Sequence, residues 1–206
     1  MTWIATVPVD QANGRLKTLY DRVKGPDGAV DNIMMAHSLR PHSMEGHMAL
    51  YKYVLHHSGN AVPKWFLEVL GVWVSLLNRC AYCVEHHFAG LSRLLADDRR
   101  AGAMRAALEA GETAGEIAAG VFSPPQQAAL VYARALTADP GGMTEELVAD
   151  LRAAGWSDGE ILEINQVTAY FAYANRTVLG LGVSIDGEVL GLSPNDSDDP
   201  GNWSHS

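Results

Sequence analysis

Hydrophobic residues recur at helical spacing along most of the chain, whereas the alternation typical of strands is almost absent. Leu16, Leu19 and Tyr20, for example, lie three or four residues apart, as on the buried face of an amphipathic helix. This spacing, and the breaks between such stretches, predict helices at about 10–24, 31–39, 43–57, 63–77, 79–95, 99–109, 124–139, 144–155 and 157–179. The pattern therefore predicts an all-α protein.

Polar residues mark where two of these helices begin. Ser123 is followed three residues later by Gln126, and Ser157 by Glu160, which is the capping-box pattern of a helix start. After the last helix, residues 183–192 indicate a small hairpin, and the polar residues beyond it indicate a mobile tail. The predicted organisation is one helical domain over residues 1–192 and a polar tail over residues 193–206.

A weak internal repetition accompanies the helical pattern. Leu67-Glu68 precedes an apolar run and Asn78-Arg79, and Leu162-Glu163 precedes a helical run and Asn175-Arg176. The interval from glutamate to asparagine is ten residues in the first copy and twelve in the second. The pattern leaves open whether the bundle is built on a duplicated helical hairpin.

The charge of the chain argues against two classes of partner. The formal net charge is −9, and no stretch of Lys and Arg forms a basic stripe. Since affinity for nucleic acids rests largely on neutralised phosphates, neither nucleic acid nor an anionic membrane surface is an expected partner. The longest apolar run, residues 69–77, covers about half of the roughly 20 residues that a spanning helix needs. The N-terminal pattern is not that of a signal peptide, so we expect a cytoplasmic protein.

The candidate chemistry lies at the start of the fifth predicted helix. The chain has two cysteines, Cys80 and Cys83, and a fold of this size in a reducing compartment does not need them as a staple. At about 100° per residue, Cys83 and His87 lie about 60° and 20° from Cys80, whereas His86 lies about 120° away. A helix N-terminus stabilises a thiolate, and His87 can exchange a proton with Cys83. These parts suit peroxide reduction, in which one sulfur becomes a sulfenic acid and the other condenses with it.

Three other kinds of site use two nearby cysteines. A thioredoxin-like site needs its CxxC between a strand and a helix, and strand signals are missing here. Haem attachment needs a histidine directly after the second cysteine, where this chain has Val84. Zinc stays open, because the two thiols, one or two histidines and Glu68 could form a tetrahedral set.

Glu68 interrupts an apolar stretch in which a charge is normally costly. A partly buried carboxylate near a histidine can hold the proton that a thiol gives up. The alternative is a carboxylate that reaches solvent at the edge of its helix.

The segment from Glu68 to His87 resembles the signature of the carboxymuconolactone decarboxylase/AhpD superfamily. That signature has a glutamate twelve residues before the first cysteine and a histidine four residues after the second, and Glu68, Cys80, Cys83 and His87 match all four positions. The likeness extends over about residues 10–185. Asn175-Arg176, with the Leu-Gly-Leu-Gly-Val that follows, is similar to the closing helix of the peroxidase-related branch.

This resemblance implies an AhpD-like helical bundle that reduces hydroperoxides through a dithiol/disulfide cycle. By resemblance, Glu68, a water and His87 form a proton relay, Cys83 attacks the peroxide and Cys80 is the resolving thiol. No metal or organic cofactor is implied, and an external dithiol reduces the disulfide. Family members commonly form trimers or hexamers, so a homo-oligomer is expected. Two alternatives remain: a lactone decarboxylase, although those superfamily members do not use this cysteine pair, and a redox-sensing or binding protein.

Other polar residues are weaker candidates. Histidines are frequent in the N-terminal third, at positions 37, 42, 47, 56 and 57, but their intervals give no repeated pair on one helix face. Most are expected at the surface or in packing, with one or two lining the pocket. Tyr170, Tyr173, Asn175 and Arg176 are secondary candidates, because a paired helix could bring them near the cysteines.

Overall fold

The structure is a computed structural model that describes residues 2–111, 120–199 and 202–203. In this part of the chain the α-helices are α1 (Gly14–Val23), α2 (Asn32–Ala36), α3 (Pro41–Tyr51), α4 (Lys64–Leu77), α5 (Ala81–Leu95), α6 (Asp98–Ala110), α7 (Pro124–Ala138), α8 (Glu145–Ala153) and α9 (Asp158–Leu181). No β-strand occurs among these described residues. The prediction of an all-α fold is confirmed.

The predicted helix starts at Ser123 and Ser157 are confirmed, since both residues form complete capping boxes. Two other boundaries differ from the prediction. Residues Val9–Gln11 form a separate 3-10 turn before α1, and α3 continues into a π-helix at Lys52–His56. The wider π-turn lies beside the candidate site described below, where such distortions are frequent in proteins.

Helix α4 is the centre of the fold. Every residue from Phe66 to Ser75 is buried, because α5, α7 and α9 pack around the helix and α6 also contacts it. The apolar run at residues 69–77 is therefore a buried helix, as predicted. Since α4 and α5 form a tight hairpin, Glu68 on α4 faces the first turns of α5 from within the core.

The predicted hairpin at residues 183–192 is wrong. Asp186 and Gly187 do form a turn, but the residues on either side of it are not paired as strands. Instead the segment lies along the helices: Glu188 accepts hydrogen bonds from Tyr82 and from the backbone N–H of Asn32. At Gly191 a Cβ atom would come within 2.9 Å of the backbone of α5, so this segment packs against the helices instead of pairing with itself.

The polar segment after Ser193 contacts the helical domain in its described part. Trp203 is buried within the hydrophobic cluster that also contains both cysteines. Ser193 is buried as well and accepts a hydrogen bond from Arg93. The prediction of a polar tail does not anticipate these contacts. Residues 200–201 and 204–206 of that tail lie outside the described residues.

Within the described ranges, the helices are too short or too polar for any of them to cross a membrane.

Gly71 offers a sharp test of the packing between α4 and α9. A Cβ atom at this position would lie 2.3 Å from the ring of Phe171, which is fully buried. We expect Gly71→Ala to lower the free energy of unfolding by about 1–3 kcal/mol, since the ring has little room to move. Urea denaturation followed by circular dichroism measures the change.

Gly102 is the matched control for that substitution. It also lies within a helix, α6, but a Cβ atom there would meet nothing within 4 Å. Gly102→Ala is expected to raise the unfolding free energy by up to about 1 kcal/mol through helix propensity. If Gly71→Ala is no less stable than Gly102→Ala, the described α4–α9 contact is wrong.

Candidate active site

The tight connection between α4 and α5 places the two cysteines. Arg79 adopts a left-handed conformation (φ 58°), and the backbone N–H of Cys80 donates to the Ser75 carbonyl at 2.8 Å. Cys80 is the N-cap residue of α5, and Cys83 lies within the first turn of that helix. Both thiols are free and buried, with their sulfur atoms 3.3 Å apart.

The pKa values of the two thiols are shifted in opposite directions. The contact with Cys83 lowers the pKa of Cys80, because the Cys83 thiol donates to a negative sulfur on Cys80. The same contact raises the pKa of Cys83 well above its usual value, and burial raises it further. A hydrogen bond from the Asn175 side chain acts in the opposite direction. In the reduced pair, Cys83 therefore holds its proton more strongly than Cys80 does.

Glu68 and His87 form a buried pair beside the thiols. The Glu68 carboxylate is about as buried as the core around it, with 2% of the residue exposed, and its Oε2 lies 2.6 Å from Nδ1 of His87. The ring of Phe171 meets the His87 ring edge-on at 4.5 Å. Gly90 leaves room for the carboxylate, since a Cβ atom there would lie 3.2 Å from Oε1. The packing of Phe171 and the close approach of Gly90 thus fix the orientation of the pair.

A small cavity of about 40 Å³ joins these groups. Cys83, Glu68 and His87 line it together, as the sequence spacing predicts for a shared site. Aromatic side chains and the segment after α9 complete the wall, among them His47, Tyr51, Tyr170, Leu192 and Ser193. A water molecule needs about 10–15 Å³ of such volume, so the cavity has room for only a few heavy atoms.

Cys80 does not share the face on which the sequence places it. It borders a second groove with Arg79 and Arg105, whereas Cys83 lines the cavity. The prediction assumed a regular helix from Cys80 onward, but Cys80 has φ −95° and ψ 87° and precedes the helix. The rotation of 100° per residue therefore does not apply to it.

The prediction that His86 points away from the site is also corrected. His86 lines the same cavity, and its Nε2 lies 3.0 Å from Oε2 of Glu188. Glu188 belongs to the segment that was predicted as a hairpin, so no helical periodicity could have paired it with His86. Tyr82 donates to the same carboxylate at 2.9 Å. A second carboxylate–histidine pair thus lies at the rim of the cavity.

The secondary candidates on α9 differ in their positions relative to the cavity. Asn175 is fully buried, accepts a hydrogen bond from Asn78 at 2.9 Å and donates to Ser75 at 3.0 Å. Its sequence neighbours include Arg176 and Thr177, so no apolar stretch marks it, and its burial follows from the packing of α9 against α4. Tyr170 lines the cavity, whereas Arg176 is exposed and donates to the Ala172 carbonyl of its own helix. Asn78 and Asn175 are also the two asparagines of the weak sequence repeat.

The N-terminal histidines do not form a common cluster. His47 lines the cavity, and His56 is buried nearby. His37 is partly buried against His47, with ring centroids 5.1 Å apart, whereas His42 is exposed. Across the described ranges, no group of three or more histidine, cysteine or acidic side chains is arranged to hold a metal ion.

Lys52 ties the C-terminal segment to the wall of the cavity. This lysine is fully buried in the π-helix, and its ammonium group donates to Ser197 Oγ at 3.0 Å and to the carbonyl oxygens of Asp199 and Asn202, each at 2.5 Å. The neighbouring Tyr51 lines the cavity and packs against Trp203, with ring centroids 6.0 Å apart. The lysine therefore fixes the segment that covers Tyr51.

We expect Lys52→Met to release this segment. The substitution keeps the length of the side chain but removes the hydrogen bonds that the ammonium group donates to this segment, each of which contributes about 0.5–1.5 kcal/mol. Hydrogen exchange at residues 195–199 and the fluorescence of Trp203 measure the release. Lys64→Met is the control, because Lys64 forms a more exposed ion pair with the same segment, at Asp196, and such pairs contribute about 0–1 kcal/mol. Equal exchange in both variants would contradict the anchoring role of Lys52.

Similarity to known proteins is visible in the fold and not in the sequence. No family model matches the chain, and no curated protein matches it. Among solved structures, an alkylhydroperoxidase AhpD core, an uncharacterized peroxidase-related protein from Ralstonia eutropha JMP134, superposes with a TM-score of 0.74 at 21% identity over 89% of this chain and 91% of that one. A peroxidase-related protein from Silicibacter sp. TM1040 gives a TM-score of 0.73 at 22% identity over the same shares.

A third structure extends the comparison beyond peroxidase-related proteins. It is a cysteine-to-alanine variant of the debrominase Bmp8 in complex with 2,3,4-tribromopyrrole, with a TM-score of 0.65 at 17% identity over 90% of this chain and 91% of that one. The fold and the site thus define a helical protein with a buried dithiol. The particular architecture is the AhpD-like fold, as the sequence resemblance predicts.

Proposed function

We propose that this protein is a thiol-dependent peroxidase that reduces hydroperoxides through Cys83 and Cys80. The observation that carries the proposal is the position of Cys83, which lines a small cavity with Glu68 and His87 and lies 3.3 Å from the second sulfur. A nucleophile, a proton-transfer pair and a resolving thiol are the parts that two-cysteine peroxide reduction needs.

In the first step Cys83 attacks the terminal oxygen of ROOH. The acidity order of the pair leaves the proton on Cys83 at rest, so a base must remove it, and the Glu68–His87 pair lines the same cavity. The new S–O bond forms as the O–O bond breaks, and the electron pair leaves on the RO oxygen. His87 returns the proton to that oxygen, which gives ROH and a sulfenic acid on Cys83.

In the second step the Cys80 sulfur attacks Cys83 and displaces the hydroxyl group as water. The S–S bond needs a separation of about 2.05 Å, and the sulfurs start 3.3 Å apart, so a small movement is enough. Together the steps convert a dithiol and ROOH into a disulfide, ROH and water. An external dithiol then reduces the disulfide by thiol–disulfide exchange.

Turnover distinguishes this enzyme from a sensor of the same fold. The reduced chain is mixed with hydrogen peroxide and an excess of dithiothreitol, and the peroxide is measured over time against dithiothreitol alone. Consumption of many equivalents per chain supports the peroxidase. A single stoichiometric oxidation that changes the oligomer size would instead favour the redox sensor.

A second candidate is reductive dehalogenation of an aromatic compound. The observation that favours it is the structural similarity to the debrominase bound to tribromopyrrole, together with the aromatic wall of the cavity. The same dithiol would balance this reaction, because Ar–Br and two thiols give Ar–H, HBr and a disulfide. Release of bromide from a bromopyrrole in the presence of dithiothreitol would establish it.

We further infer that the protein works as a homo-oligomer, a trimer or hexamer, in the reducing cytoplasm. A dithiol that must return to the reduced form after every cycle suits such a compartment. Several large apolar side chains on α7 and α9 are exposed in the single chain, including Val131, Leu162 and Leu179. Contact between copies would cover such surfaces.

A further inference from the structure

His47 has no role in the mechanism above, yet it lines the cavity that contains Cys83. Its residue is 3% exposed, and the aromatic rings around it fix its orientation. The ring centroids of His37, Tyr170 and Tyr173 lie 5.1, 5.9 and 5.8 Å from that of His47. A polar ring that is fixed in the wall of the cavity can form a hydrogen bond with a ligand that enters it.

The hydrogen-bonding state of His47 follows from its burial. Nδ1 is closed off from solvent and has no hydrogen-bond partner among the described residues. An orphaned N–H group is rarer in proteins than an acceptor without a donor, so the proton belongs on Nε2. Nε2 of His47, unlike Nδ1, is not among the closed-off nitrogens without a partner, so it is the ring nitrogen that can reach the cavity.

The charge of His47 is also fixed. Burial, with a smaller contribution from the neighbouring His37, lowers the pKa of His47 to about 3. The imidazole therefore stays neutral over the ordinary pH range, and it can donate a hydrogen bond from Nε2 without giving up a proton. His87, in contrast, is paired with the Glu68 carboxylate.

We propose that His47 is a substrate-binding residue, which donates a hydrogen bond from Nε2 to the oxygen that leaves when Cys83 attacks a small hydroperoxide. The proposal rests on the proposed peroxidase function and names the substrate class. The cavity of about 40 Å³ admits hydrogen peroxide or a short alkyl hydroperoxide. Negative charge develops on the leaving oxygen, and a neutral donor fixed in the cavity wall stabilises that charge.

The test compares two reactions of the same sulfur. The reduced full-length chain reacts with hydrogen peroxide in one experiment and with iodoacetamide in another, and mass spectrometry follows Cys83 in both. Iodoacetamide reports the accessibility and ionisation of the thiol but has no O–O bond to polarise. His47→Leu removes the donor, His47→Gln keeps an N–H at the end of a side chain of similar length, and His42→Leu is the exposed control on the same helix.

We expect His47→Leu to slow oxidation by hydrogen peroxide about tenfold, the value of one lost hydrogen bond to developing charge, while alkylation stays within about twofold. His47→Gln is expected to recover most of the rate, and His42→Leu to match the unmodified chain. The proposal is overturned if His47→Leu oxidises at the full rate, or if it slows oxidation and alkylation equally, which is the result of a purely structural role. An unmodified chain that alkylates at Cys83 but never oxidises would instead overturn the peroxidase itself.

Discussion

Replacing Cys83 with serine is expected to lower hydroperoxide turnover by about a thousandfold or more, which is the largest effect that the structure predicts. A serine hydroxyl is a far weaker nucleophile than a thiolate, and Cys83 is the cysteine that lines the cavity with the Glu68–His87 pair. Steady-state consumption of hydrogen peroxide with dithiothreitol measures the loss. Full turnover by Cys83→Ser would show that the proposed mechanism is wrong.

Cys80→Ser is the matched control, because it makes the same sulfur-to-oxygen replacement in the other cysteine of the pair. This variant is expected to lose turnover as well, but to complete the first reaction and accumulate a sulfenic acid on Cys83. Trapping that acid with a dimedone reagent, followed by peptide mapping, locates it. A sulfenic acid on Cys80 in the Cys83→Ser chain, formed at the normal rate, would reverse the roles of the two sulfurs.

Replacing Glu68 with glutamine is expected to slow the reaction of Cys83 with a hydroperoxide by about a hundredfold, within the usual range for losing a general base. The amide keeps the shape of the side chain and a contact with His87 at the position where Oε2 lies 2.6 Å from Nδ1. It cannot carry the negative charge that makes the histidine a better base. Rapid-mixing measurements of thiol loss at one pH give the rate.

Glu163→Gln is the control for this substitution. Glu163 stands at the corresponding place in the weak repeat, and it accepts backbone hydrogen bonds from Ala61 and Val62 before α4, at 2.9 and 2.8 Å. The control is expected to react at the normal rate. If Glu68→Gln also reacts at the normal rate, the relay assigned to Glu68 and His87 does not operate.

The helices and the central four residues were predictable because their signals are local. Apolar spacing and capping boxes specify where a helix lies. The intervals between Glu68, Cys80, Cys83 and His87 are distances along the sequence, so they can be compared with a family signature without knowledge of the packing. The failure at Cys80 has a local cause too: the left-handed turn at Arg79 makes Cys80 a cap residue, and helical geometry begins only after it. Periodicity carries no information about such a turn.

Contacts between distant segments could not be read from the sequence in the same way. His86 pairs with Glu188, which is separated from it by 102 residues, and Lys52 binds residues more than 140 positions away. Neither partner lies on a helix, so no pattern ties it to a face. Asn175 was accessible as a secondary candidate because a paired helix could bring it near the cysteines, but its contact with the thiol depends on how α9 crosses α4.

The central claim is that Cys83 and Cys80 together reduce one hydroperoxide, and one measurement tests it directly. The fully reduced chain is mixed with one equivalent of hydrogen peroxide, and its free thiols and intact mass are determined before and after. We predict the loss of both thiols, a mass lower by two hydrogen atoms, a disulfide between Cys80 and Cys83 on peptide mapping, and complete consumption of the peroxide. An unchanged thiol content with the hydroperoxide intact would contradict it.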